Sequence, residues 1–135
     1  MSTFYDEIKI KTDERNYWYD ITSQISQCVV MSGLSTGIVT VSSLHTTAGI
    51  TINENADPDV GRDIFKKLGN LIPQQDHYDH AEGNSDSHLK ATLTGLSATI
   101  PIHKNTLVLG TWQSIYFCEF DGPRSRLVSV TIIGE

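Results

Sequence analysis

The chain is predicted to be a single-domain α+β protein, a β-sandwich of mainly antiparallel strands with two or three helices. Three observations carry this reading. The 135 residues are enough for one sizeable hydrophobic core and span a single domain, 1–135. Two segments, 21–33 and 57–71, repeat apolar residues at helical spacing. Most of the remainder is rich in Val, Ile and Thr, and the stretch 99–133 reads as strands throughout.

Phe4 to Lys11 alternates weakly and forms the first strand; Tyr17-Trp18-Tyr19 forms a second that ends at Asp20. The period then changes. Ile21, Ile25, Cys28 and Val29 recur at helical spacing, Thr22 is placed to cap the start, and Gly33 is placed to end the segment in a left-handed conformation. Gly37 to Leu44 and Gly49 to Glu54 return to strand character. A second helix is predicted from Asp57 as N-cap and Pro58 at the first helical position, with Val60, Ile64, Leu68 and Leu71 as its apolar stripe. No period holds from Pro73 to Ser87, whose residues are those of a loop. A short third helix follows, capped by Ser85, Asp86 or Ser87 and packing through Leu89, Leu93 and Leu96 until Gly95. Strands at Thr99–Ile102, Thr106–Leu109, Thr111–Phe120 and Arg126–Ile133 complete the chain. Strands with intervening helices and a closing antiparallel meander define the α+β class.

Composition narrows the functional classes. A net charge of −6 disfavours broad nucleic-acid binding, which relies on Lys and Arg to neutralise phosphates. No apolar run approaches the roughly 20 residues that cross a bilayer. The N-terminal residues lack the basic and apolar regions of a signal peptide, so a cytoplasmic location is expected. Cys28 and Cys118 are isolated in apolar segments and read as buried, reduced thiols.

Three constellations carry chemistry. His45 opens the run His-Thr-Thr-Ala-Gly-Ile-Thr-Ile-Asn-Glu. On a strand, Ile50, Ile52 and Glu54 share one face while Thr51 and Asn53 share the other. A carboxylate on an apolar face implies a partner or a metal; the alternative is a Glu54 beyond the strand end in water. His45 reads equally as a core histidine satisfied by Thr46 and Thr47. Second, His77, His80 and His88 lie in a polar stretch whose flexibility lets His80 and His88 reach one point. Zinc requires three or four such ligands, and a solvated loop with histidines is the plainer reading. Third, Gln113, Ile115, Phe117 and Glu119 share a strand face, and Arg124 and Arg126 flank a tight turn. A guanidinium fork suits phosphate; surface salt bridges on a hairpin are the alternative.

Together these segments resemble a known family. His45 through Val60, Asn84 through Lys90, Leu109-Gly-Thr-Trp-Gln113 and Glu119-Phe-Asp-Gly-Pro-Arg124 are similar, in order, to the YjbQ-like family, also called secondary thiamine-phosphate synthases. The resemblance implies a β-sandwich that assembles as a homotrimer, with a polar cleft containing histidines. It also implies a weak or secondary ability to join an aminopyrimidine diphosphate to a thiazole phosphate with loss of pyrophosphate. The catalytic set expected on this basis is His45, Thr46, Thr47, Glu54 and Glu119. Asn53, Asn84, Gln113 and Arg124 are expected to hold a small phosphorylated substrate. His45, His80 and His88 are expected to converge on one divalent cation, zinc or magnesium, with Glu54 or Asp86 orienting the rings. Two other classes fit the same residues: a metal-dependent hydrolase of a small phosphorylated or amide substrate, and a non-catalytic ligand-binding trimer.

Overall fold

The computed structural model describes residues 1–135. Eight strands and three helices follow in the order β1 (Ser2–Lys11), β2 (Tyr17–Asp20), α1 (Thr22–Ser32), β3 (Gly37–Ser43), β4 (Ala48–Glu54), α2 (Pro58–Leu71), α3 (Ser85–Thr94), β5 (Ser97–His103), β6 (Thr106–Leu107), β7 (Gln113–Glu119) and β8 (Ser125–Gly134). They build two antiparallel sheets: a five-stranded sheet in the order β1-β8-β3-β5-β6 and a three-stranded sheet in the order β2-β7-β4. The predicted α+β sandwich is the observed class, and each predicted strand is present with ends shifted by a few residues.

Alternation along the strands places the core between the sheets. Val39, Val41, Val128, Val130 and Ile132 point inward from the larger sheet and meet Ile50, Ile115 and Phe117 of the smaller one. Helix α1 adds Ile25, Cys28 and Val29 to this core. Thr22 does not cap α1 as predicted. It is the first helical residue: its N–H donates to Asp20 Oδ1 at 2.9 Å, and its hydroxyl accepts the Ile115 N–H at 2.8 Å. Gly33 ends the helix with φ 68°, as its lack of a Cβ allows. Asn105, in the turn between β5 and β6, donates its side-chain amide to Val29 O at 2.9 Å and Leu34 O at 2.7 Å.

The outer face of the smaller sheet is covered by α2 and α3, making a third layer. Trp18 stacks on Tyr116 with centroids 3.9 Å apart, and Phe65, Leu68 and Ala91 pack over Cys118 and Phe120. Gly61 lets α2 approach, because a Cβ there would lie 2.8 Å from the Trp18 indole. Asp57 caps α2 through the Asp59 N–H, as predicted, but Leu71 is exposed.

Helix α3 reverses its predicted packing. Leu89, Leu93 and Leu96 are exposed, and the buried face consists of Asp86, Ser87, Lys90 and Ala91. The reason is a closed polar network. Asp86 accepts from Arg15 through both oxygens at 3.1 Å and from Lys90 at 3.0 Å, while Ser87 Oγ donates to Phe120 O at 2.6 Å. A carboxylate so paired tolerates burial. Cys28 and Cys118 are free and buried, as expected, and no helix is long and apolar enough to cross a membrane.

Candidate functional site

Glu119, at the end of β7, anchors the site. It is fully buried, yet every lone-pair direction is used. Oε1 accepts from Thr12 Oγ1 at 2.7 Å and from Arg126 Nε at 2.8 Å; Oε2 accepts the Asp121 N–H at 3.0 Å and a second Arg126 N–H. Burial alone pushes the carboxyl upward. Hydrogen bonds from Arg126, Thr12 and the Asp121 amide outweigh it and hold Glu119 below the ordinary glutamate value. Arg126 Nη2 also donates to Thr47 Oγ1 at 2.9 Å, and Thr12 Oγ1 accepts the Arg124 N–H at 2.9 Å. One buried ion pair therefore fixes both the segment after β3 and the turn before β8.

Above this pair lies a polar cleft of about 390 Å³. His45, Thr46 and Thr47 reach it from the β3–β4 connection, Asn84 and His88 from the start of α3, and Arg124 from the turn before β8. Six of the residues singled out in the sequence thus meet in one place.

The state of His45 is set by the sheet. The β3–β8 ladder runs to Ser43 opposite Val128, and the Leu44 N–H still donates to Leu127 O at 3.2 Å. Beyond that point the imidazole takes over: His45 Nε2 accepts the Leu127 N–H at 2.8 Å. A nitrogen that accepts an amide carries no proton, so the ring proton sits on Nδ1. Burial, then the charge of Arg126, lower the His45 pKa; Glu119 opposes them and Arg124 adds to them, for a net downward shift. His45 is a neutral imidazole that presents Nδ1–H as a donor.

Asp121 ties the two sides of the cleft together. Its Oδ2 accepts from Asn84 Nδ2 at 2.8 Å and from Arg124 at 3.1 Å, and Arg124 Nε donates to its backbone carbonyl at 2.8 Å. Asn84 Oδ1 is buried and lacks a hydrogen-bond partner.

The expected three-histidine metal centre is not formed. No group of three or more His, Cys, Asp or Glu side chains is placed to hold a metal ion. His45 has committed Nε2 to Leu127. The His80 and His88 rings meet edge to face, with centroids 5.5 Å apart, but His80 bonds Ser85 Oγ through Nδ1 at 2.9 Å and turns Nε2 toward Glu82 at 3.7 Å. Asp86, expected to orient a ring, is instead held by Arg15 and Lys90. These residues do not fit a metal held by protein ligands alone.

Three further candidates lie elsewhere. Pairing of β4 with β7 sets Ala48 opposite Glu119 and Glu54 opposite Gln113. At about 3.4 Å per residue, Glu54 and Gln113 are roughly 20 Å along the sheet from Glu119. Glu54 accepts the Ala56 N–H at 2.9 Å, Gln113 accepts the Gly110 N–H at 2.8 Å, and Asn53 lines a cavity under α2. Sequence reasoning missed the supporting roles of Thr12 and Asp121. Asp121 lies inside a motif already singled out, whereas Thr12 carries no local signal.

The fold is thus a two-sheet sandwich with a helical layer and a polar cleft in which Arg124 and Arg126 face Glu82 and Asp121. The profile described as UPF0047 protein YjbQ-like matches residues 6–135, and the chain belongs to this family. It is 50% identical over 127 residues to a UPF0047 protein of Methanocaldococcus jannaschii, covering 94% of this chain and 92% of that one. It is 42% identical over 128 residues to the UPF0047 protein YugU of Bacillus subtilis, covering 94% and 97%. A solved YjbQ/UPF0047 structure from Clostridium acetobutylicum superposes with a TM-score of 0.93 at 52% identity, covering 95% of this chain and 99% of that one. A YbjQ-like structure from Sulfolobus solfataricus gives 0.95 at 34% identity, covering 99% of each.

Proposed function

We propose that the cleft binds a small phosphorylated substrate and that the chain is a thiamine-phosphate synthase-like transferase. The observation that carries this reading is the convergence of His45 Nδ1–H, the Thr46 and Thr47 hydroxyls and Arg124 on one polar cleft of about 390 Å³. In the coupling reaction, a thiazole nitrogen attacks the methylene carbon of an aminopyrimidine-methyl diphosphate and pyrophosphate departs. Negative charge accumulates on the leaving oxygens, where preorganised donors are most effective. Arg124 supplies a planar fork for those oxygens. His45 supplies a neutral donor held by the Leu127 amide. Glu119 and Arg126 act as positioning residues beneath Thr47. A divalent cation would enter on the diphosphate itself. Burial of both free cysteines supports a cytoplasmic setting.

We also propose assembly as a homotrimer. Ile38, Thr40 and Ser42 of β3, and Ser129, Thr131 and Ile133 of β8, form an uncharged outer face on the larger sheet, the side away from α2 and α3. A face of that kind suits a partner copy.

The deciding experiment supplies both substrates with magnesium and follows thiamine phosphate. Product formation that falls in Arg124→Gln supports the transferase. A folded protein that gives no product above blank removes it.

A further inference from the structure

Helix α2 covers the smaller sheet incompletely. Of its 14 residues only Gly61 is buried, and a cavity of about 350 Å³ remains between α2, α3 and the sheet. It is a groove open to solvent rather than an interior void, and its volume falls within the range of about 300–1,000 Å³ typical of ligand pockets. A second cavity of about 500 Å³ lies against the same helix and shares Trp18 and Phe65 as its wall.

The lining specifies an occupant. Trp18, Phe65, Leu68 and Phe120 give aromatic and aliphatic walls. No charged residue lines the cavity, so an ion would lose its hydration there without a counter-charge. Polar groups come from one side only: Thr51 and Asn53 on β4, and Thr94 at the end of α3. The Asn53 side-chain oxygen already accepts the Glu54 N–H at 2.8 Å, which leaves its amide NH2 to donate. Leu93, 69% exposed, stands at the mouth. The phosphate-oriented cleft is a different place, built on the β3–β4 connection rather than on the outer face of β4.

We infer that this cavity is a binding site for a small neutral molecule with an aromatic or aliphatic body and a hydrogen-bond acceptor directed at Asn53. The inference does not rest on the proposed transferase activity.

Trp18 and Trp112 are the only tryptophans, and Trp112 is 63% exposed and away from the cavity. In a Trp112→Phe background, Trp18 alone reports on the site. N-phenyl-1-naphthylamine is a suitable neutral probe. Its emission should rise saturably while Trp18 emission falls by energy transfer, and inorganic phosphate should leave the affinity unchanged. Leu93→Arg, which puts a charge at an exposed mouth, should weaken the probe at least tenfold. Asn53→Phe, which fills the cavity from the sheet, should do the same. Absence of saturable binding, unaltered Trp18 emission, or an affinity in both variants equal to that of the Trp112→Phe parent would overturn the site. So would binding seen only after dilution separates an assembly, because the cavity would then belong to a second copy of the chain.

Discussion

One guanidinium, that of Arg126, holds the buried Glu119 carboxylate and the Thr47 hydroxyl at once. Thr47 enters the cleft only because a charge pair beneath it is fully hydrogen-bonded. Arg126→Met leaves Glu119 buried without its counter-charge, a loss of about 3–5 kcal/mol. Urea unfolding should show a lower midpoint at unchanged slope. Adding Glu119→Leu should recover part of that loss, since an apolar pair needs no compensation.

Acid should attack the same pair and its counterpart on α3. Glu119 and Asp86 both sit below their ordinary values of 4.5 and 3.8, because hydrogen bonds from Arg126 and Thr12, and from Arg15 and Lys90, outweigh burial. A depressed carboxyl stabilises the fold above its unfolded value and loses that contribution as pH falls through its folded value. The contribution of these two carboxylates should therefore be complete above pH 4.5 and decline below it. Glu119→Gln should flatten the decline, as followed by thermal melts across pH.

His45 should remain neutral where an ordinary histidine begins to charge. Its folded pKa lies below 6.5, so its stabilising contribution is complete above that pH and is lost as pH falls toward the folded value. Nitrogen-15 spectra should show a bare Nε2 and a protonated Nδ1 at neutral pH. A doubly protonated ring at pH 6.5 would contradict the Leu127 hydrogen bond.

The Arg124 side chain is exposed and bonds only Asp121. Arg124→Gln should change stability by less than about 0.5 kcal/mol while weakening pyrophosphate roughly tenfold or more, in line with a lost charged hydrogen bond. Calorimetric titration measures the second quantity and melting the first.

Sedimentation equilibrium should return three times the 15.0 kDa chain mass. Thr131→Lys, at the centre of the outer face of the larger sheet, should shift the distribution toward monomer. A 15.0 kDa species at micromolar concentration in the unaltered protein would oppose the trimer.

Strands and α2 were legible because their signals are local: period-two alternation, and Asp57-Pro58 opening an amphipathic run. The packing of α3 was not. Its leucines mark an apolar stripe, but the helix orients by Asp86, whose partner Arg15 lies far away in sequence. Residues of the cleft were recognisable by type, including His45, His88 and Arg124. Their grouping was not, because strand register decides it. Glu54 and Glu119 look alike as carboxylates among apolar neighbours, yet the β4–β7 pairing puts them at opposite ends of one sheet. The three histidines are not assembled as one ligand group for a related reason: the Leu127 backbone claims a histidine nitrogen that counting ligands leaves free.

Asn105 closes the end of α1 from 76 residues beyond Val29 and 71 beyond Leu34. The carbonyls at that helix end are therefore satisfied only while the β5–β6 hairpin is docked, which ties an apparently local element to a long-range contact. Hydrogen exchange at the end of α1 should then follow the opening of the distant hairpin rather than fraying of the helix itself.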